Sequence, residues 1–165
     1  MFSFFKKKEE PIQALSLQAS DEDIVAVADG KMIPLEEVKD EVFAQKMMGD
    51  GVAFELKGDV IYAPCNGTLA AAFPTGHAFG LVMKDGVELL IHIGINTVNS
   101  NGDGFQVLAQ QGQEVLAGTP LVKVDLKKLK ASYDMTTMLI VTGANDKEIR
   151  FIDYGDVTKG QKINK

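Results

Sequence analysis

The chain contains only two histidines, His77 and His92, and each lies in a short apolar run bordered by glycine. Imidazole can act as a nucleophile, a general acid, a general base or a metal ligand near neutral pH. If two strands bring both rings to one place, that place is a reactive site. The sequence carries no P-loop, no dinucleotide-binding glycine fingerprint and no serine nucleophile elbow, so the histidines are the strongest candidates for chemistry.

The run 87–95 alternates in the manner of a half-buried β-strand. Its odd-numbered residues are all apolar and predict a core-facing side, which places His92 on the opposite side. Gly94 has no side chain and leaves room beside that ring. A hydroxyl two residues before His77, that of Thr75, could hydrogen-bond one ring nitrogen and select the tautomer. From pattern alone, a hydrogen-bonded surface histidine and a histidine that merely ends a strand explain the two residues as well.

Turn dipeptides rich in Gly, Asn and Asp recur from Ile24 onward and separate short β-branched runs. This spacing predicts an all-β fold, an antiparallel β-sandwich or barrel with short helices. Strands are predicted over 24–27, 52–54, 60–62, 80–83, 87–93, 121–124 and 138–141. Helices are predicted over 105–110 and over 126–133, the latter with Asp125 as N-cap. Two weak internal echoes favour pseudo-symmetry: 28–32 resembles 65–69, and the spacing Val115, Gly118, Leu121 recurs as Val157, Gly160, Ile163.

A length of 165 residues with 45% hydrophobic residues suits one domain, here 21–165 after a flexible leader, 1–20. The net charge of −6 argues against binding to nucleic acid, because phosphate recognition needs a basic surface. A single cysteine, Cys65, cannot form an internal disulfide and indicates a reducing compartment.

We expect a cytoplasmic protein, because no apolar run reaches the length of a membrane span. The amino-terminal segment from Phe2 to Lys8 holds three phenylalanines followed by three lysines, the reverse of the order in a signal peptide. That segment is a candidate for weak contact with the inner face of an anionic membrane, and a frayed terminus is the alternative.

Five motifs occur in a fixed order along the chain. They are Val42-Phe-Ala-Gln-Lys-Met-Met-Gly-Asp-Gly51, Ala63-Pro-x-x-Gly-Thr68, Thr75-x-His-Ala-Phe79, Val87-Glu-Leu-Leu-Ile-His-Ile-Gly94 and Gly102-x-Gly-Phe105. In sequence and spacing they closely resemble the glucose-family enzyme IIA (EIIA) domain of the bacterial phosphoenolpyruvate:sugar phosphotransferase system. The similarity runs from about residue 24 to the end, and that family has a β-sandwich or barrel fold with short helices.

The resemblance implies a phosphotransferase component that works by phosphohistidine relay and needs no ATP, metal or other cofactor. His92 would accept a phosphoryl group from the phosphocarrier protein HPr and pass it to a cysteine of a sugar-specific IIB domain during sugar uptake. His77 would hydrogen-bond the phosphoryl oxygens and Thr75 would fix His77. The Gly94 carbonyl is the candidate for holding Nδ1–H of His92.

The resemblance also implies an apolar docking face around the histidines, formed by Val42, Phe43, Met47, Met48, Phe73, Leu90 and Val98. Methionines suit a surface that accepts differently shaped partners, although ordinary core burial is the alternative for Val42 and Met47. Asp40 would lie at the rim and meet a basic partner. Asn96, also assigned to partner binding, stands where the family commonly has Asp. This departure would weaken pairing with HPr or shift it to Asp40 and Asp103.

Three other hypotheses remain open from the residues. A biotinyl- or lipoyl-like carrier modified at Lys84 is suggested by the run 82–86, but the second methionine of that motif is missing and the histidines have no role. A small zinc hydrolase would need a further ligand. A regulatory binding protein is compatible with the phosphocarrier, and there His77 and His92 could share Zn²⁺ with a partner's carboxylate.

Overall fold

Two antiparallel β-sheets make up the computed structural model, which describes residues 11–165. The strands are β1 Gly30–Pro34, β2 Asp50–Leu56, β3 Val60–Tyr62, β4 Gly67–Ala72, β5 Ala78–Met83, β6 Glu88–Ile93, β7 Phe105–Val107, β8 Glu114–Val115, β9 Pro120–Val124, β10 Thr137–Gly143 and β11 Gly155–Val157. One sheet has the order β11-β1-β2-β10-β6-β5-β4-β8 and the other β3-β9-β7. Two short helices, α1 Glu41–Ala44 and α2 Leu126–Lys130, and two 3₁₀ turns, Leu35–Glu37 and Thr97–Ser100, complete the described elements. The predicted all-β class is confirmed.

Apolar side chains pack on both faces of the larger sheet. The main core holds residues of both sheets, such as Phe54 and Leu121, whereas a second, smaller cluster lies under the segment 33–43. Strand β10 contributes side chains to both clusters: Leu139 packs in the main core, and its neighbours Met138 and Ile140 pack in the second cluster. Strand β6 lies between β10 and β5, so it is central in the sheet and fixed on both edges.

Six of the seven predicted strands overlap observed strands, and the exception is 24–27, where Val25 makes only an isolated bridge to Lys162. The helix predicted over 105–110 is wrong. Its first residues form β7 and pair with β9, and this pairing overrides the local preference. The second predicted helix is confirmed over Leu126–Lys130, where the Asp125 carboxylate accepts a hydrogen bond from the backbone N–H of Lys128.

The internal echoes correspond to equivalent places in the sheet. Gly30 pairs with Val157 where β1 meets β11, and Gly67 pairs with Val115 where β4 meets β8. The first echo therefore covers the starts of β1 and β4, and Val115 and Val157 of the second echo lie in the short edge strands that border them. The pattern reflects a repeated arrangement of the backbone.

Residues 11–20 form neither helix nor strand, and the backbone N–H of Leu15 donates to the carbonyl of Gly118 at 3.0 Å. The mobility of the leader stays a prediction, and the candidate membrane segment from Phe2 to Lys8 lies outside the described residues. Within 11–165, no helix has the length and apolar character needed to cross a membrane.

Candidate functional site

Strands β5 and β6 bring the two histidines side by side. Ala78, the first residue of β5, pairs with His92, and the carbonyl of the preceding His77 accepts a hydrogen bond from Ile93 N–H at 2.7 Å. The two imidazole centroids are 5.4 Å apart, with the ring planes at 79°. The two rings are therefore direct neighbours in an edge-to-face arrangement.

His92 is held in one tautomer by the turn that follows β6. Its Nδ1 lies 2.8 Å from the carbonyl oxygen of Gly94. A carbonyl can only accept, so Nδ1 carries the proton and Nε2 of the neutral ring has a free lone pair. Gly94 has a φ of +76°, and a Cβ atom there would lie 2.5 Å from Cγ2 of Thr97, so the turn requires glycine.

His77 is buried and is supported by a tight turn. Its Nδ1 lies 2.6 Å from Oγ1 of Thr75, and the N–H of Gly76 donates to the carbonyl of Phe73 at 2.8 Å. A Cβ atom on Gly76 would lie 2.7 Å from Cβ of Phe105. The turn that presents His77 therefore rests directly on β7 of the smaller sheet.

Both imidazoles have a pKa below the ordinary histidine value. Burial lowers the pKa of His92, and the Gly94 carbonyl and the Asp40 carboxylate oppose that shift. Burial also lowers the pKa of His77, and the neighbouring His92 lowers it further. Both rings are accordingly mostly neutral at pH 7, the form in which an imidazole can act as a nucleophile.

We expect a nuclear magnetic resonance titration of the protein to place both pKa values below about 6.5, the usual value for histidine. Because the folded pKa is depressed, the unfolded chain binds more protons, and the free energy of unfolding rises with pH. The stability that the two neutral histidines contribute is fully present above the pKa that they have in the unfolded chain. It is lost as the pH falls through their lower pKa in the folded protein. Urea unfolding at several pH values measures this loss, and His92→Gln should reduce the slope. A pKa above 6.5 for either ring would contradict the expectation.

Five residues of the predicted docking face are well exposed, at 42–69% of their surface: Val42, Met47, Met48, Phe73 and Val98. Core burial is thus excluded for Val42 and Met47. Leu90 is half-buried, and its neighbour on the same face of β6 is His92. The exposed residues come from three separate segments that flank the histidines.

Phe43 differs from the rest of that predicted face. Only 6% of it is exposed, because its ring packs in the second cluster with its centroid 5.0 Å from that of His92. Little of the ring can reach a partner. Its contact with the imidazole instead supports His92 from the side of α1.

Two carboxylates considered for the acidic rim, those of Asp40 and Asp103, both have partners within the chain. The carboxylate of Asp40 accepts the N–H of Val42 at 2.9 Å, so it caps α1 as well as lying near His92. Asp103 is bound to Lys128 at 2.7 Å, which offsets the charge it could offer a partner. Asn96 is exposed and has a φ of +60°, a conformation that asparagine tolerates better than most residues.

Lys46 was not singled out from the sequence, yet it fixes the segment that carries the exposed methionines. It has a φ of +59°, and its ammonium group lies 3.1 Å from Glu36 and 3.3 Å from Asp50. Both carboxylates raise the pKa of Lys46. The available signal was its position in the first of the five motifs, between α1 and β2.

The residues behind the other hypotheses lie away from the histidine pair. Lys84 follows the end of β5 that is remote from His77, and its ammonium group lies 3.8 Å from Glu114. Cys65 is fully buried, and burial raises the pKa of its thiol to about 12, so it is not a nucleophile. Among residues 11–165, no group of three or more His, Cys, Asp and Glu side chains could hold a metal ion, which leaves the zinc hydrolase without its further ligand there.

Known proteins share this fold and these motifs. The glucose-specific EIICBA component of the phosphotransferase system from Staphylococcus carnosus is 40% identical over 141 residues, which are 85% of this chain and 21% of that protein. The chain thus spans about a fifth of the length of this relative. The solved structure of glucose permease IIA from Mycoplasma capricolum matches with a TM-score of 0.82 at 43% identity, over 86% of this chain and 93% of that one. A family model described as phosphoenolpyruvate-dependent sugar phosphotransferase system, EIIA 1, matches residues 22–147. The chain belongs to this EIIA 1 family of the sugar phosphotransferase system.

Proposed function

We propose that the protein is a phosphocarrier in sugar uptake, which accepts a phosphoryl group from phospho-HPr on Nε2 of His92 and passes it to a cysteine of a sugar-specific IIB domain. The observation that carries the proposal is the pairing of the two rings, each with Nδ1 fixed. The Gly94 carbonyl holds one ring and the Thr75 hydroxyl holds the other. This arrangement leaves both Nε2 atoms for the transferred group.

Acceptance uses the lone pair on Nε2 of neutral His92. That atom attacks phosphorus in line with the leaving nitrogen of the HPr phosphohistidine, so one P–N bond breaks as another forms. The proton on Nδ1 stays on the ring, and its hydrogen bond to the Gly94 carbonyl stabilises the positive charge that develops there. Onward transfer reverses these roles, with the IIB thiolate as nucleophile and His92 as leaving group.

His77 acts as a hydrogen-bond donor to the phosphoryl group. If the Thr75 hydroxyl donates to Nδ1 of His77, the neutral ring carries its proton on Nε2. An N–H held beside His92 can then stabilise the equatorial phosphoryl oxygens, where charge develops during transfer. The ring is not consumed and needs no proton exchange with solvent.

A test is incubation of the chain with phosphoenolpyruvate, enzyme I and HPr, followed by mass spectrometry of the intact protein and of its peptides. We expect one added phosphoryl group, located on His92, labile in acid and stable in base. An acid-stable adduct, a different site, or no adduct with active HPr would refute the proposal.

The docking face supports relay between two protein partners, because its apolar residues are exposed and the ring centroid of one of them, Phe73, lies 5.4 Å from that of His77. When HPr is limiting, we expect Met47→Glu to slow acceptance by about tenfold or more, because the new carboxylate would be buried in the contact with HPr. A tenfold effect corresponds to a loss of ~1.4 kcal/mol in binding free energy. Leu116→Glu is a matched control, since both side chains are 69% exposed and Leu116 follows β8, at the end of the sheet remote from His77. Equal rates for the two variants would contradict a docking role for Met47.

The histidine pair also fits a zinc site shared with a regulatory partner. His92 offers Nε2 directly, and His77 does so once its proton moves to Nδ1, where the Thr75 hydroxyl then accepts it. A carboxylate from the partner and a water would complete a tetrahedral site. Calorimetry with Zn²⁺ alone should show weak binding that is lost in His92→Gln. Tight binding by the isolated chain would contradict a shared site.

A further inference from the structure

Thr97 is fully buried in the loop after β6, and no motif or proposed role described above includes it. Its Oγ1 donates a hydrogen bond to the carbonyl of Ile93, and its Cγ2 lies against the α-carbon of Gly94. Both branches of the side chain therefore contact the turn that presents a carbonyl to His92. We propose that Thr97 is a positioning residue that fixes the Gly94 carbonyl and so selects the tautomer of His92.

The turn needs such a support because its backbone is intrinsically free. Gly94 and Asn96 have φ values of +76° and +60°, and glycine populates both signs of φ about equally. The turn is anchored on either side of the Gly94 carbonyl. Thr97 binds the carbonyl of Ile93 before it, and the N–H of Ile95 after it donates to the carbonyl of Asp134 at 2.8 Å. Without the Thr97 bond, the Gly94 carbonyl is held on one side only, through the N–H of Ile95 in the same peptide group, and its orientation towards the imidazole is less restricted.

The orientation of that carbonyl decides whether His92 can react, and here the inference rests on the proposed phosphocarrier function. A neutral histidine in water favours the tautomer with the proton on Nε2, the atom that must attack. The Gly94 carbonyl reverses this preference by holding the proton on Nδ1. A carbonyl that swings away returns the proton to Nε2 and blocks the nucleophile in part of the molecules.

Thr97 thus has a role towards His92 like that of Thr75 towards His77, but it does not touch the ring itself. The Thr75 hydroxyl contacts the ring of His77 directly, whereas the Thr97 hydroxyl acts on His92 through the backbone of a glycine turn. Both threonines lie outside β5 and β6. Each ring therefore has a hydroxyl that fixes its surroundings independently of strand pairing.

The test compares Thr97→Val, which keeps the shape and removes the hydroxyl, with Thr97→Ser, which keeps the hydroxyl. Long-range ¹H–¹⁵N correlation spectra report the tautomer of each histidine without any partner protein. For Thr97→Val we expect His92 to move towards the Nε2–H tautomer while His77 is unchanged. Acceptance from phospho-HPr should fall about tenfold, the effect of losing one hydrogen bond. Thr97→Ser should retain both the tautomer and the rate.

A His92 that keeps its Nδ1–H tautomer in Thr97→Val, or equal tautomer populations in the two variants, would overturn the proposal. Unfolding curves check that both variants fold, and Thr97→Ala replaces Thr97→Val if the latter does not. The tautomer measurement decides the role of Thr97 even if His92 of the unmodified protein accepts no phosphoryl group, which would refute only the phosphocarrier function.

Discussion

Replacing His92 by glutamine should abolish phosphoryl acceptance from phospho-HPr, a loss of more than about a thousandfold. The glutamine amide is polar and of similar length, but its nitrogen lone pair is delocalised into the carbonyl and does not attack phosphorus. His77 does not replace it, because Nε2 of the neutral ring carries the proton when the Thr75 hydroxyl donates to Nδ1. The measurement is the initial rate of incorporation of labelled phosphoryl group at a fixed concentration of phospho-HPr.

The fold should tolerate this change, because His92 is half-buried and lies at the border of the second cluster beside Phe43. A circular dichroism spectrum and an unfolding curve like those of the unmodified chain establish this. Leu116→Glu, remote from the site, serves as the control for the transfer assay. Substantial acceptance by folded His92→Gln would show that another residue is the acceptor.

The sequence alone was sufficient to orient His92 on its strand. Alternation along 87–95 places His92 opposite the buried residues, and the structure shows that side of β6 as half-exposed. This succeeded because a strand with one buried face records its orientation in every second residue. The role of His92, in contrast, comes from the motif order and remains a proposal.

Alternation fails where a strand is buried on both faces or has small side chains. Strands β1 and β4 went unpredicted because Gly30–Pro34 ends in consecutive apolar residues and Gly67–Ala72 is rich in alanine. The burial of Phe43 could not be predicted either. It depends on a second apolar cluster that exists only once the segment 33–43 covers the sheet.

The turns around the site were the least accessible feature. The turn dipeptides in the sequence indicate that the chain changes direction, but they do not show which carbonyl faces which ring. The hydrogen bond from Nδ1 of His92 to Gly94 was anticipated as a candidate, whereas the support from Thr97 depends on a contact across a left-handed turn. Side-chain contacts of this kind produce no periodic pattern in the sequence, so they cannot be predicted from it.

Replacing His77 by alanine should separate the two halves of the relay. His92 should still become fully phosphorylated, because phosphoenolpyruvate drives the reaction and a slower step can run to completion. Transfer from phospho-His92 to the IIB cysteine should slow on the order of a hundredfold to a thousandfold, the usual effect of removing one donor to developing oxyanion charge. Single-turnover transfer from the isolated phosphoprotein to IIB measures the second step alone.

Thr75 provides the internal control for this assignment, since it touches His77 and lies outside β6. Thr75→Val should slow onward transfer in the same direction but less, because His77 stays in place with its tautomer no longer fixed. Thr75→Ser keeps the hydroxyl and should restore the rate, whereas a purely structural role would make both substitutions act alike. Unimpaired transfer by folded His77→Ala would remove the donor role from His77 while leaving His92 as the acceptor. The two histidines are chemically the same group, and the difference between their roles rests on the partner of each Nδ1: a carbonyl that must accept for His92, and a hydroxyl that can donate for His77.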